Sequence, residues 1–336
     1  MKAKRTILLT FDHELFLGVR SGRPENCMIE PVNYLLSIFD EFQVKQAIFF
    51  LDTTYLQQLR NSEKEQFKAD YELIKKQTKQ LLDKGHYIFP HIHPHWLDAE
   101  PQADSWKLEK LDRYCFKNCS TEEQKNIWEA SMEILKDFGV LDYHAVDSFR
   151  AGGWSIQPFQ HFKPFFDQYG ITNDFSVLPG VATISNAQQF DFSTVKVNQP
   201  YRFNEDVTIE DPNGGYHEIP ISVRESQADT LTTKLWKKIL FKMGVRSIGK
   251  GQGVIPKHTG EAKSSEVEMI SIELMHQFNL KSYKQFLDEH ELMHFISHPK
   301  MLSRHNLAIL RKFLKYATKN YELDFDYKSL LNQPPK

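Results

Sequence analysis

Three histidines fall within five residues in the stretch HIHPHW, at His91, His93 and His95. Such a run is either a solvated loop or one half of a metal site. Pro94 denies it a regular helix or strand interior, so it is expected to turn at the end of a strand. His91 and His95 are four apart, a spacing that brings two imidazoles to one ion in a helical turn or tight loop. A catalytic zinc takes about three protein ligands and keeps one position open for water. The third ligand must come from elsewhere, and the stretch LTFDHE is the natural supplier. Asp12 and Glu14 share a face if a strand runs through them. Buried carboxylates are costly unless a metal or another cation pairs with them. Arg150 is a candidate to orient one of them through a bidentate bond and hold its pKa down. His298, in FISHP, is a candidate proton donor to a leaving group. Taken singly, each has a plainer reading: a helix-capping carboxylate, a structural ion-pair arginine, a satisfied turn histidine.

The elements that must carry these residues read as alternating strands and helices. TILLTF is a short apolar run rich in β-formers. Pro31 opens a helical stripe through Val32, Leu35, Leu36, Phe39 and Phe42. QAIFFL is a second strand. Tyr71, Ile74, Leu81 and Leu82 mark a helix stopped by Gly85, and HYIFP is the third strand. Ser120 and Glu123 form a capping box ahead of Ile127, Trp128, Met132 and Leu135, with Gly139 at the far end. AVDSF is the fourth strand. Further strands are expected near 194–197 and 216–223, then LMHFIS at 292–297, before an amphipathic helix over about 303–319. This alternation implies a mainly parallel sheet, open or closed as a barrel, with its active site at the C-terminal strand ends. The unusual polar residues fall there: Asp12, His13 and Glu14 after the first strand, the histidine run after the third, Arg150 after the fourth and His298 after the last.

The chain has 336 residues, 40% hydrophobic and 26% charged, with a formal net charge of -2. No bulk field therefore selects nucleic acid or an anionic membrane. No apolar stretch is long enough to span a bilayer, and the N-terminus reads as a strand rather than a signal peptide. Cys27, Cys115 and Cys119 are too few and too odd in number for a disulfide framework, which favours reduced thiols and the cytoplasm. Cys115 and Cys119 alone make half a metal site. Residues from about 224 to 290 are read as a basic insertion in a single catalytic domain. Its first half has a helical stripe through Trp236, Leu240 and Met243. That stretch is either a solvated cationic face or a peripheral contact for an anionic or lipid-linked partner.

These motifs together resemble the polysaccharide deacetylase (NodB-homology) superfamily, as a divergent intracellular branch. TFDHE stands where that family has a TFDDG-like motif. GHYIFPHIHPH supplies its paired histidines, FRAGGW its arginine motif and FISHP its late histidine, while GITNDFSV is similar to the region after the arginine motif. The likeness runs over about 5–225 and returns near 290–300. It implies a deformed (β/α) barrel that holds a divalent metal, commonly zinc, and removes acetyl groups from sugars by hydrolysis. By position, Asp12 would be the general base, His91 and His95 metal ligands, Arg150 the tether of Asp12 and His298 the general acid. The family's second aspartate aligns with His13. Glu14 is preferred as the third ligand because it keeps a two-nitrogen, one-oxygen set, with His13 the runner-up. Ile92 replaces a common hydroxyl residue, and Arg150 lacks the usual nearby proline. His93 has no standard role and is expected to line the pocket or back a ligand; Trp96 and Trp154 are expected as walls for a sugar ring or acetyl methyl. The expected partner is a small sugar or one linked to a lipid or nucleotide. Two rivals stand beside this: a metal-independent amide or ureide hydrolase of the allantoinase-like type, and a catalytically silent carbohydrate-binding protein.

Overall fold

The apolar runs become a curled, mainly parallel sheet with helices packed outside it. The computed structural model describes residues 2–226, 246–253 and 267–331. Strand β1 (Lys4–His13) is buried from Thr6 onward. Helix α1 (Glu30–Phe42) has its proline in the first turn and buries Val32, Leu35, Leu36 and Phe39. Strand β2 (Ile48–Asp52) follows, wholly buried. Asp52 then caps the helix α2 (Thr53–Arg60) by accepting from the backbone N–H of Tyr55. Helix α3 (Glu65–Asp83) leads to strand β3 (Tyr87–Ile92). Helix α4 (Thr121–Asp137) carries the expected capping box, with both of its hydrogen bonds formed. Strand β4 (Ser148–Ala151), helix α5 (Lys163–Tyr169) and strand β5 (Asn173–Asp174) complete the first part. Strands β6 (Tyr201–Phe203) and β7 (Tyr216–Glu218) are followed by β8 (Val223–Glu225) and β9 (Val267–Met269), which pair antiparallel. Helix α6 (Leu280–Glu289), strand β10 (Leu292–Ser297), helix α7 (Arg304–Asn320) and strand β11 (Glu322–Asp324) close the sequence of elements.

In space the sheet runs β6-β7-β5-β4-β3-β2-β1-β10, with β11 also pairing β1. From β7 to β10 every neighbour is parallel. The open side is bridged by residues 219–222: Ile219 N–H donates to Asp174 O, Ile221 N–H to Val177 O and Ser222 N–H to His294 O. The sheet thus returns on itself as the expected deformed (β/α) barrel. Parallel closure puts the C-terminal strand ends on one rim, which is the condition for gathering distant polar residues.

Several local expectations change. His91 and Arg150 lie within β3 and β4, paired in register, rather than after those strands. Pro94 opens a 3-10 turn over Pro94–Asp98. Residues 194–197 form no strand, and 216–223 divides into β7 and the bridging segment. Residues 267–290, read as the end of an insertion, supply β9, the seam residues 270–272 and α6: Ile270 N–H donates to Ser222 O and Ile296 N–H to Ile270 O. The stripe through Trp236, Leu240 and Met243 lies outside the described residues. Ser120→Ala removes the N-cap acceptor of α4 and is expected to lower stability by about 1 kcal/mol in urea unfolding.

Candidate metal and acid–base site

Period-two alternation decides which end of β1 faces what. Asp12 and Glu14 point into the barrel mouth. His13 points the other way, where its Nε2–H donates to Gln77 Oε1 at 3.0 Å beneath α3. That orientation removes His13, the runner-up ligand, from the mouth. All three residues are buried.

Arg150 has no solvent exposure. Its Nη1 donates to Asp12 Oδ1 at 2.7 Å, its Nη2 to Thr10 Oγ1 at 2.7 Å, and its Nε to the Phe175 carbonyl at 2.9 Å. Asp12 thus has one oxygen tied. Its Oδ2 faces inward, 3.8 Å from His91 Nε2 and 3.5 Å from His298 Nε2. Burial opposes the Asp12 charge, but Arg150, His91 and His298 outweigh it and hold the carboxyl below its ordinary value.

Beside Asp12, three ligand-type atoms crowd together. His93 Nε2 lies 2.8 Å from Glu14 Oε2 and 3.1 Å from His91 Nε2, and the remaining separation, His91 to Glu14, is 3.8 Å. Among the described residues, Glu14, His91 and His93 form the group whose donor atoms converge closely enough for one ion. His91 Nδ1–H donates to the Arg150 carbonyl at 2.8 Å, so its Nε2 presents a lone pair. Burial lowers the His91 pKa to about 4 despite Asp12 beside it, keeping that ring neutral. Glu14 is held well below its ordinary range: burial works against this, and Lys300 and then His93 prevail. Glu14 Oε2 has no aligned hydrogen bond. At most one proton sits among three electron-rich atoms, spaced much as ligands ~3.3 Å apart around a zinc with bonds near 2.0–2.1 Å. The donor set fits a divalent cation.

His93, not His95, stands with His91. The reason is local: from His91 to His93 the chain is extended, so the two rings share a face, whereas His95 sits inside the 3-10 turn that Pro94 begins. His95 is buried, stacked on Tyr114 at 4.6 Å, with neither ring nitrogen hydrogen-bonded. It is a neighbour of the group rather than a member. Gly152 makes room for His93: a Cβ there would lie 2.3 Å from Ile92 O and 2.8 Å from His93 Nδ1.

His298 follows β10 and is gripped from behind. Its Nδ1–H donates to Glu273 Oε1 at 3.1 Å, its backbone N–H to Glu273 Oε2 at 2.7 Å, and its Nε2 faces the gap between Asp12 and Glu14. Burial disfavours the charged ring, but Glu273 and then Asp12 overcome it and raise the pKa to about 9. Glu273 went unnoticed in the sequence because it lies in the stretch read as insertion. Lys300 was also missed, although it stands two residues beyond His298; its Nζ donates to Glu14 Oε1 at 2.8 Å and to the Leu15 carbonyl at 2.6 Å. His294 supports Arg150 from below: Nδ1–H donates to the Pro220 carbonyl at 2.8 Å, and Nε2 lies 3.1 Å from Arg150 Nη2.

A cavity of about 290 Å³ opens onto Glu14, Glu273, His298 and Lys300, with Phe16, Leu111, Tyr114 and Met301 among its walls. Neither expected tryptophan lines it. Trp96 is fully buried, donating from Nε1 to Asp52 Oδ2 at 2.6 Å and packing on Tyr55 and Trp106. Its turn places it under the rim rather than on it. Burial pushes the Asp52 carboxyl up to about 7. Trp154 is half-buried against Phe190. Cys27, Cys115 and Cys119 are free and buried.

No protein-family model and no curated protein matches the sequence. Among solved structures, the chain is similar to a family 4 carbohydrate esterase from Streptomyces lividans in complex with acetate (9% identity, TM-score 0.43, covering 98% of this chain and 95% of that one). It is similar to a probable polysaccharide deacetylase from Pseudomonas aeruginosa PAO1 (12% identity, TM-score 0.48, 97% and 88%). It is also similar to a 4-alpha-glucanotransferase from Thermococcus litoralis (12% identity, TM-score 0.47, 97% and 38%). At these scores the likenesses stop at overall topology, and the side chains have to carry any function.

Two outcomes follow from the geometry. Arg150→Met leaves Asp12 buried without its cation and is expected to cost about 3–5 kcal/mol in chemical unfolding; a loss below 1 kcal/mol would contradict the pairing. The raised His298 pKa contributes stability that is complete below the unfolded imidazole value and is lost as pH rises through about 9. Glu273→Gln should bring the His298 titration, followed by NMR, down to about 6.5 or lower and abolish that alkaline decline.

Proposed function

We propose that this chain is a metal-dependent hydrolase that removes an acetyl group from an amino sugar or glycan precursor, breaking a non-peptide C–N bond. The observation that supports it best is one rim where a tethered carboxylate, an inward-facing cluster of one carboxylate and two imidazoles, and a charged imidazole meet. Glu14, His91 and His93 are the residues that would hold the metal, with His95 close by; zinc is the first candidate for this nitrogen-rich set. Bound there, a divalent ion would supply a water of lowered pKa and polarise an acyl carbonyl. The remaining roles belong to the chain itself. Arg150 fixes Asp12 by Oδ1, leaving Oδ2 free to accept the proton of an attacking water. His298 enters the reaction protonated and gives its Nε2 proton to the departing nitrogen, while Glu273 keeps the ring oriented and charged. The buried surroundings strengthen each of these interactions.

The substrate in this reading is an acetamido sugar carried on a nucleotide, a lipid or a small glycoside. A cytoplasmic site of action is part of the same proposal, resting on three free thiols; no helix among the described residues is long and apolar enough to cross a membrane. A second reading, hydrolysis of an amide or ureide without metal, is favoured by one observation. Lys300 already neutralises Glu14, so the pocket is balanced in charge without an ion.

Purified protein loaded with zinc, cobalt or manganese is expected to release acetate from N-acetylated sugars or their activated forms. Chelation should stop release, and Asp12→Asn should slow it by roughly 100-fold or more. Full turnover after chelation would favour the metal-independent reading. Failure to release acetate across the substrate panel, with metal bound, would overturn the deacetylase assignment.

A further inference from the structure

The cluster around Glu14 contains a cation that belongs to the protein. Lys300 is buried, 7% exposed, and is fixed at both ends. Its Nζ donates to Glu14 Oε1 and to the Leu15 carbonyl. Its backbone is closely packed, since a Cβ on Gly249 would lie 2.4 Å from the Lys300 carbonyl. The ammonium also lies 5.5 Å from the centre of the Phe16 ring. Glu14 therefore offers the other two donor atoms only Oε2, while Oε1 is spoken for.

Three acid–base pairs make up the mouth: Asp12 with Arg150, Glu14 with Lys300, and Glu273 with His298. In the first two a buried carboxylate meets a cationic side chain, and in the third the carboxylate is half-buried. A divalent ion arriving at Glu14, His91 and His93 meets a site already neutralised, with Lys300 bonded to the same carboxylate. Fixing Oε2 toward the cluster helps the ion, but the ammonium repels it. At these separations in a buried pocket, repulsion is the larger effect, because Oε2 stays confined by His93 even without Lys300.

We propose that Lys300 is a positioning residue that weakens and tunes metal binding: it holds the metal-free site together and must be outcompeted electrostatically when the ion enters. This rests on the metal-site reading above. It makes metal binding and Lys300 substitutes for one another in stabilising Glu14. Lys300→Met removes the charge and keeps much of the side-chain bulk. The metal-free variant should melt at lower temperature than wild type, because Glu14 is left buried and unpaired. Cobalt(II) should then restore its stability more than it raises that of wild type.

Two measurements test this. The first is cobalt(II) affinity, read from its visible absorption and by chelator competition: Lys300→Met should bind about tenfold or more tightly than wild type. The second is melting temperature with and without cobalt(II), including the double variant Glu14→Gln/Lys300→Met. Without metal, the double variant should recover most of the stability lost in the single one, having no orphaned charge. Equal or weaker cobalt binding by Lys300→Met overturns the inference while leaving the metal site standing. A double variant as unstable as the single one assigns Lys300 to packing and overturns it too. If neither wild type nor Lys300→Met binds cobalt(II), zinc or manganese, the metal-site reading itself fails and this inference falls with it.

Discussion

A guanidinium with no access to water sits at the centre of this barrel, and the rest of the mouth is arranged around it. Arg150 on β4 reaches across to Asp12 and Thr10 on β1 and to the Phe175 carbonyl beyond β5, with its flat face 4.3 Å from the Phe50 ring of β2. A buried cation of this kind is tolerated only when its donors are met and its charge answered. Asp12 answers the charge. The backbone and hydroxyl oxygens take the remaining donors, and His294 closes the lower side. Because these partners come from different strands, the arginine also fixes how those strands sit relative to one another. The register His91 with Arg150 then carries that order outward, since the Arg150 carbonyl sets the His91 tautomer.

The second constraint is charge. Asp12 and Glu14 at the end of β1, His91 and His93 at the end of β3, Arg150 on β4, and His298 and Lys300 just after β10 share a mouth from which water is largely excluded, and Glu273 joins them from the segment leading to α6. Each acid is paired with a base, yet Glu14 Oε2, His93 Nδ1 and both ring nitrogens of His95 remain without a hydrogen bond. The site is therefore balanced in charge but not in hydrogen bonding. That combination favours a ligand that accepts lone pairs over one that merely adds positive charge. It also accounts for the two readings of the chemistry meeting at the same residue, Lys300.

Much of this was legible in the sequence because one rule of parallel sheets needs no contacts: polar residues at C-terminal strand ends share a rim. The rule brought out Asp12, Glu14, His91, Arg150 and His298, and strand alternation put Asp12 and Glu14 on one face, while His13 stayed the runner-up ligand that the structure turns away under α3. Applied to IFFLD it would also have marked Asp52. What escaped depends on details below that rule. The His91–His95 pairing assumed a turn beginning at His91, whereas the chain stays extended through His93 and turns only at Pro94. Trp96 follows the histidines in sequence, but that turn sends its ring under the rim toward Asp52. Glu273 was invisible for another reason. β8 and β9 are three residues each, too short for periodicity, and they are separated by a long polar stretch.

The glycine pair after Arg150 and the histidine run meet at one place in this structure. FRAGGW sets two glycines directly after Arg150 and Ala151, and the histidine run carries a ring at His93 between His91 and His95. A side chain at Gly152 would strike the Ile92 carbonyl and His93, and one at Gly153, whose φ is +57°, would lie 2.5 Å from the Tyr114 ring. The paired glycines thus create the space that His93 and Tyr114 fill. Tyr114 in turn stacks on His95, holding it beside the cluster. A side chain at Gly152 would crowd His93 in the position from which it meets Glu14. The place of His93 beside His91 thus rests on the extended chain through His93 and on backbone clearance at Gly152, in the turn that follows the neighbouring strand β4.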